Sequence, residues 1–480
     1  MSSYVDPEQL SKSDNAAEFE EDAHQAHHHQ TLHPNHPMRW PSWLRHACLF
    51  QNAFNGLMAG FTSAIIIPGF PIIAEAFGIT EQAASYLATV HVLFLGLGPF
   101  FWAPMTTRFG HRLCLILAAT LSFAGNLGGG FAHSYGALMV ARVFSSIGVS
   151  IAQVLGASVA VGLFAPERRA AKMNIWSVMV TIGPAIGGLV GGFLVAALGW
   201  RWALYLNAIS TGAEVVAYIL TYPETQWVPS NPIGLKQRMG IVFNNEYRIR
   251  PLDFIRPLWF VQSPAMVIMF MVFGLSFGLI SPGLAITLPP VFVPLYGFGA
   301  RALGLIFIAY IVGTLIGGQI GGRFSDVVAN RYATKCIEQG KPYRYEYRLL
   351  AVLPGYFLVI AGFIIYGVTL QEVTHWAGPV IGYGIVNCGL QVIMNVINTY
   401  CVDCYTTNAL SITVFLGVGR QVIGFTTGFW IPPLIAATSY GLGIGILAII
   451  CFVFYVMSML VYYRGDRIRE RFPIRRLDVK

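Results

Sequence analysis

Residues 223–258 read PETQWVPSNPIGLKQRMGIVFNNEYRIRPLDFIRPL, a polar stretch with eight charged side chains and six long apolar runs on either side of it. That position decides the fold. The chain has 480 residues, 55% of them hydrophobic and 11% charged, with 30 Lys+Arg against 22 Asp+Glu. Four segments, 1–38, 223–258, 323–348 and 464–480, hold 35 of those 52 charges. The 17 that remain could not cover a soluble exterior, which needs charged side chains over most of its area. Soluble enzymes and nucleic-acid binders are excluded on this ground.

Between the charged segments, apolar runs recur at 47–70, 84–105, 113–132, 136–162, 171–197, 202–222, 260–287, 302–322, 349–369, 377–400, 408–434 and 440–463. Each is long enough to cross a hydrocarbon core of about 30 Å as a helix. The expected fold class is all-α integral membrane, with twelve transmembrane helices in two six-helix bundles. The expected organisation is a disordered cytoplasmic tail (1–45), an N-terminal bundle (46–222), a cytoplasmic linker (223–258), a C-terminal bundle (259–463) and a basic tail (464–480).

If the N-terminal tail is cytoplasmic, 26 of the 30 basic residues fall on the inside; Arg201 and Arg301 fall outside, and Arg142 and Arg420 lie within spans. This asymmetry places both termini in the cytoplasm and assigns the net charge of +8 to loops rather than to nucleic acid. Residues 1–38 carry seven acids and one Lys, with His24, His27, His28, His29, His33 and His36 clustered behind them. They lack the basic start and apolar core of a signal peptide, and they read as a solvated tail rather than a metal site. The seven cysteines lie mostly within apolar runs and are expected to be reduced; Cys401 and Cys404 form a CxxC with no second pair to complete a zinc site.

Several motifs sit at span ends. Residues 98–112 read GPFFWAPMTTRFGHR after the second span, and Gly322-Arg323-Phe324-Ser325-Asp326 with Arg331 follows the eighth. The fourth span holds Arg142-Val143-Phe144-Ser145-Ser146. The fifth holds Ile182-Gly183-Pro184-Ala185-Ile186-Gly187-Gly188 with Gly191 and Gly192. Trp200-Arg201-Trp202, Asn207 and Pro223-Glu224-Thr225 mark the sixth. From about Arg45 to Phe472 these patterns resemble the fungal branch of the major facilitator superfamily that includes twelve-span drug:proton antiporters.

That resemblance implies alternating access about a midplane cavity, export driven by the proton gradient, no cofactor, and a plasma-membrane or vacuolar location. It implies that Arg108, Gly110 and Arg112 form a charged cytoplasmic latch. The family's acid there is Thr107 in this chain, so Asp326 in the second copy is expected to hold the latch. It further implies that Arg142 supports proton coupling and that Gly183, Pro184, Gly187 and Gly188 form an antiporter hinge.

The residues themselves show polar stripes. Arg142, Ser146, Ser150 and Gln153 share one helical face, as do Asn387, Gln391, Asn395 and Asn398, and Gln51 and Asn55 with Thr62 mark a third. Amides facing lipid would lack partners, and three such stripes are expected to line the substrate cavity, although any single amide could instead hydrogen-bond a neighbouring helix. Proton coupling needs a group whose proton affinity changes with exposure. Glu214 is the acid nearest a span centre, and His91 is the mid-span histidine; together with Arg142 they are the coupling candidates. No carboxylate cluster suggests an inorganic ion or metal, and no GxxxxGK[ST] loop suggests ATP.

The expected protein is a monomeric transporter in the lipid bilayer, not an enzyme, exchanging a small organic compound for protons. A proton symporter for a polyamine, sugar or organic acid is the alternative within transport. A non-transporting receptor on a transporter scaffold is the alternative from another class.

Overall fold

The computed structural model describes residues 33–164, 166–228, 233–235, 237–240, 242–244, 247–340, 344–405 and 409–471. The histidines of the tail up to His29, and the last nine residues, lie outside these. Among the described residues the regular elements are all helices, and twelve are long and apolar enough to cross a membrane. They are α1 (Ser42–Phe77), α2 (Glu81–Phe109), α3 (His111–Gly130), α4 (Tyr135–Ala160), α5 (Ile175–Leu198) and α6 (Trp200–Thr221), then α7 (Pro264–Tyr296), α8 (Ala300–Cys336), α9 (Tyr345–Gln371), α10 (Ala377–Cys404), α11 (Ser411–Ala437) and α12 (Tyr440–Arg469). Every predicted span has its counterpart. In hydrocarbon the backbone must satisfy its own hydrogen bonds, so runs of this length and composition have no other solution than helix.

The structure differs from the expectation at two charged segments. The helix of α8 continues to Glu338 and that of α12 to Arg471. Asp326, expected in a loop, therefore lies on a helix that extends past the apolar run. Charged residues end the membrane-spanning part of such a helix without ending the helix itself.

Two helices are broken near their centres at a proline, and α4 is interrupted without one at Ser150–Ile151. The first helical section of α1 stops at Ala64, and the chain passes through a 3₁₀ turn at Ile67–Gly69 around Pro68 before resuming at Phe70. In α7 a π turn at Leu279–Leu284 surrounds Pro282. A proline lacks the amide that the regular ladder needs, which accounts for both interruptions.

Packing repeats with an offset of six helices. In one half α1 packs on α5, α3 on α4 and α6, and α2 on α4; in the other α7 packs on α11, α9 on α10 and α12, and α8 on α10. The halves meet along α2 with α11 and along α5 with α8. At the first seam Tyr86 stacks on Phe429 at 4.8 Å, and Gln82 donates to the carbonyl of Gly428 at 2.9 Å. At the second, Gly192 lies against Gly304 and Gly188 against Phe307. All these residues belong to the helix halves remote from the termini. The bundles are thus closed together at that end.

Candidate functional site

Between the bundles lies a cavity with about 1370 Å³ of empty space, counting its open mouth. Both halves line it, from Ser63 and Ile67 at the break in α1 to Asn398 and Thr413 near the terminus-bearing ends of α10 and α11. Its walls are mainly apolar and aromatic, with Trp176, Phe273, Phe277 and Phe307 prominent. Four of the residues expected to face substrate do reach it: Gln153 on α4, and Gln391, Asn395 and Asn398 on α10. Gln391 donates to Asn395 at 3.1 Å, and Asn395 donates to the Gly318 carbonyl of α8 at 3.4 Å.

Arg420 of α11 is the charged residue in that wall. Its guanidinium stands over the Phe277 ring, 4.6 Å from the centroid, and donates from Nη2 to Oε1 of Gln153 at 3.2 Å. Because Gln153 belongs to the N-terminal bundle, this hydrogen bond links the two halves through the cavity.

The other expected cavity residues stand elsewhere. Arg142 is fully buried and donates to three backbone carbonyls: Leu87 at 3.1 Å, Thr62 at 2.9 Å and Ser63 at 3.4 Å. Thr62 and Ser63 belong to the last turn before the break in α1, where carbonyls have no intrahelical donor and a cation is favoured. Arg142 is therefore a cap that holds α1 and α2 to α4. Ser146 donates to the carbonyl of His91 on α2, and His91 itself is buried beside Arg142. Asn387 is buried and donates to the carbonyl of Tyr383 one turn back.

Gln51 and Asn55 turn toward α6. Gln51 donates to Thr221 at 2.7 Å, and Asn55 donates to Oε2 of Glu214 at 3.3 Å. The expectation that the α1 stripe faces the cavity fails because α1 is surrounded by protein on most sides. A polar face on such a helix finds partners on any of its neighbours. Glu214 is buried, and its Oε1 has no hydrogen-bond partner. It sits in a polar cluster inside the N-terminal bundle, apart from the cavity.

The motif residues at the terminus-bearing end form a clamp within the N-terminal half. Gly110 turns the chain at φ +81°, and a side chain there would collide with the carboxylate of Glu224. That carboxylate accepts the amides of His111 and Arg112, both at 3.0 Å, and of Gln226 at 2.7 Å. Arg112 in turn donates to the carbonyls of Tyr222 and Ile219, each at 2.7 Å, and to that of Met239. Arg108 donates to the carbonyls of Asn244 and Tyr247. Arg238, buried between the rings of Trp40 and Trp227, donates to the carbonyls of Glu224 and Gln226. Burial draws the proton affinity of its guanidinium below the ordinary value, and the charge of Glu224 opposes that shift.

This corrects the expected latch. Arg108 and Arg112 bind the connector and the end of α6, and the acid that Gly110 and Arg112 meet is Glu224. In the C-terminal half Asp326 is largely exposed, 3.5 Å from Arg348, which pairs more closely with Asp403 at 3.1 Å. Arg469 with Glu346 at 2.8 Å and Arg344 with Asp466 at 2.9 Å complete an ion-pair network there.

The expected hinge is a packing seam. Gly183 and Gly187 lie against the α1 backbone at Leu57 and Phe61, Pro184 fits over Gly60, and Gly188 faces α8. The helix runs without a break from Pro166 to Leu198. Sequence reasoning marked Arg420 as a charge within a span but did not place it among the cavity residues. It also missed Trp176, Tyr310 and Gln421, whose residue types do not distinguish a cavity wall from a helix contact.

The family model described as the Major Facilitator Superfamily matches residues 53–422. The MFS-type transporter penM of Penicillium rubens is 27% identical over 91% of this chain and 87% of its own. The MFS transporter cpaT of Aspergillus oryzae is 29% identical over 91% and 90%, and the efflux pump radE of Floropilus chiversii 26% over 92% and 84%. Among solved structures, an inward-facing, unoccupied bacterial homologue of the human lysosomal transporter Spinster superposes with a TM-score of 0.62 at 16% identity, covering 90% of this chain and 99% of that one. A peptide transporter POT bound to alafosfalin gives 0.63 at 14% identity, covering 90% and 98%.

Proposed function

This chain belongs to the Major Facilitator Superfamily, a family of membrane transporters rather than enzymes, and from that premise we propose that it exports a small organic compound in exchange for protons. The observation that carries the reading is the cavity itself. It is walled by both bundles and joined shut at one end by the contacts of α2 with α11 and of α5 with α8, as one state of an alternating-access cycle requires. The name of one relative, the efflux pump radE, supports the outward direction.

In this reading the terminus-bearing end faces the cytoplasm, as the basic residues suggest, and the protein works as a monomer at the plasma membrane. Substrate enters among Gln153, Gln391, Asn395, Asn398 and Arg420. Glu214 carries the proton: it is a buried carboxyl held by one amide, so losing or gaining a proton changes its hold on Asn55 and hence the packing of α1 on α6. Arg142 acts in coupling only through the helices it caps.

The test compares metabolites inside cells and in the medium between deletion and overexpression strains, then measures flux of the responding compound in proteoliposomes with an imposed proton gradient. Export predicts accumulation in the medium on overexpression and gradient-dependent flux. Depletion of an internal compound with no change in the medium, or flux indifferent to the gradient, would overturn it.

A further inference from the structure

Resting on the reading of the central cavity as the substrate site, we propose that the transported compound is an organic acid, whose carboxylate binds Arg420 while its apolar body lies against Phe273, Phe277 and Phe307. Among the described residues that line the cavity, Arg420 is the one charged side chain, and no carboxylate accompanies it. Its partners are a neutral amide oxygen at 3.2 Å and an aromatic face, and its Nε is buried without an acceptor. A cation kept in low-dielectric surroundings without a counter-charge is costly. The guanidinium of Arg142, by contrast, has a carbonyl acceptor at each of its three nitrogens.

The incomplete partner set identifies the ligand chemistry. A guanidinium presents a planar fork that a carboxylate meets with two parallel hydrogen bonds, each stronger than a bond to a neutral acceptor. The rest of the wall bears mainly hydrocarbon, rings, hydroxyls and amides. Among the described residues it offers no further cation for a dianion and no acid for an amine. The fit is a monoanion on a hydrophobic frame. Because Gln153 comes from the opposite bundle, a carboxylate that takes its place on Arg420 also removes a link between the halves. Substrate charge is thereby tied to the rearrangement that moves it.

The test uses the full chain in lipid nanodiscs at neutral pH. Affinities are measured for 2-naphthoic, biphenyl-4-carboxylic and anthracene-9-carboxylic acids, each against its own amide. At least one acid should bind about 10- to 100-fold more tightly than its amide, the scale of a hydrogen bond to a charged group. The preference should fall to near unity in Arg420→Gln and survive in part in Arg420→Lys, which also reports that the site has folded. Amides equal to or better than all three acids, absence of binding by every acid, or a preference that persists in Arg420→Gln would each overturn the proposal. Flux separates this from the export reading. A neutral compound exported as well as its acid would remove the acid and keep export. An acid bound through Arg420 but not moved by the gradient would do the reverse.

Discussion

The carboxylate of Glu224, beyond the end of α6, caps the start of α3 through the amide of His111 at 3.0 Å, while Arg112 on α3 caps the end of α6 through the carbonyl of Tyr222 at 2.7 Å. Each helix terminus leaves backbone groups without partners, positive at the start and negative at the end. Here two helices exchange opposite charges to satisfy both. The exchange also fixes the connector, since Gln226 and Arg238 hang from the same carboxylate-bearing turn.

Glu224→Ala should lower stability by about 2–3 kcal/mol, because three amides lose a charged acceptor at once. Thermal unfolding in detergent reads this. Glu224→Gln should recover part of the loss by keeping an acceptor oxygen. An unchanged midpoint in the alanine variant would show that solvent satisfies these amides instead.

Gly110→Ala combines a positive φ with a collision against Glu224. With ψ at 164° this backbone lies in a region essentially confined to glycine, which costs another residue about 1–3 kcal/mol, and displacement of the carboxylate adds to it. The double variant Gly110→Ala with Glu224→Ala should be less destabilised than the sum of its parts. Strict additivity would separate the two residues.

Arg142→Gln leaves the carbonyls of Leu87, Thr62 and Ser63 short of donors and should cost about 3 kcal/mol or more. Arg142→Lys should retain part of the fold and part of the flux, with the wild-type pH profile. A shifted profile would instead place the guanidinium in proton coupling.

Glu214→Gln keeps a hydrogen-bonding partner for Asn55 but cannot release a proton. Gradient-driven flux should drop by about tenfold or more, the change that accompanies roughly 1.4 kcal/mol of lost coupling, while exchange without a gradient persists. Undiminished gradient-driven flux would remove Glu214 from the mechanism.

Gly304→Leu should wedge the closed end open, because even a Cβ at this position falls 2.8 Å from Gly192. Labelling of a Ser63→Cys reporter by an impermeant maleimide from the side remote from the termini should rise in the Leu variant. Equal labelling with and without the wedge would mean that this seam does not hold the cavity shut.

By itself the sequence determined that the chain is a bundle of twelve membrane helices split six and six by residues 223–258. Hydrophobic length and charge placement are properties of each segment alone, and lipid admits few other structures for such runs. It also marked the polar residues that could not face lipid. Which neighbour each one meets was decided only by the tertiary structure. A helical wheel gives the direction of a side chain relative to its own axis, and not the identity of the helix on that side. So Gln153 reached the cavity while Arg142, Ser146, Gln51 and Asn55, on equally polar faces, met carbonyls or α6. Glu224 met the turn at Gly110 from 114 residues further along the chain, a contact that no local pattern shows. Arg420 was visible as a charge within a span, but its place in the cavity wall without a carboxylate beside it was decided by the packing, because whether a cation is paired is defined by everything around it.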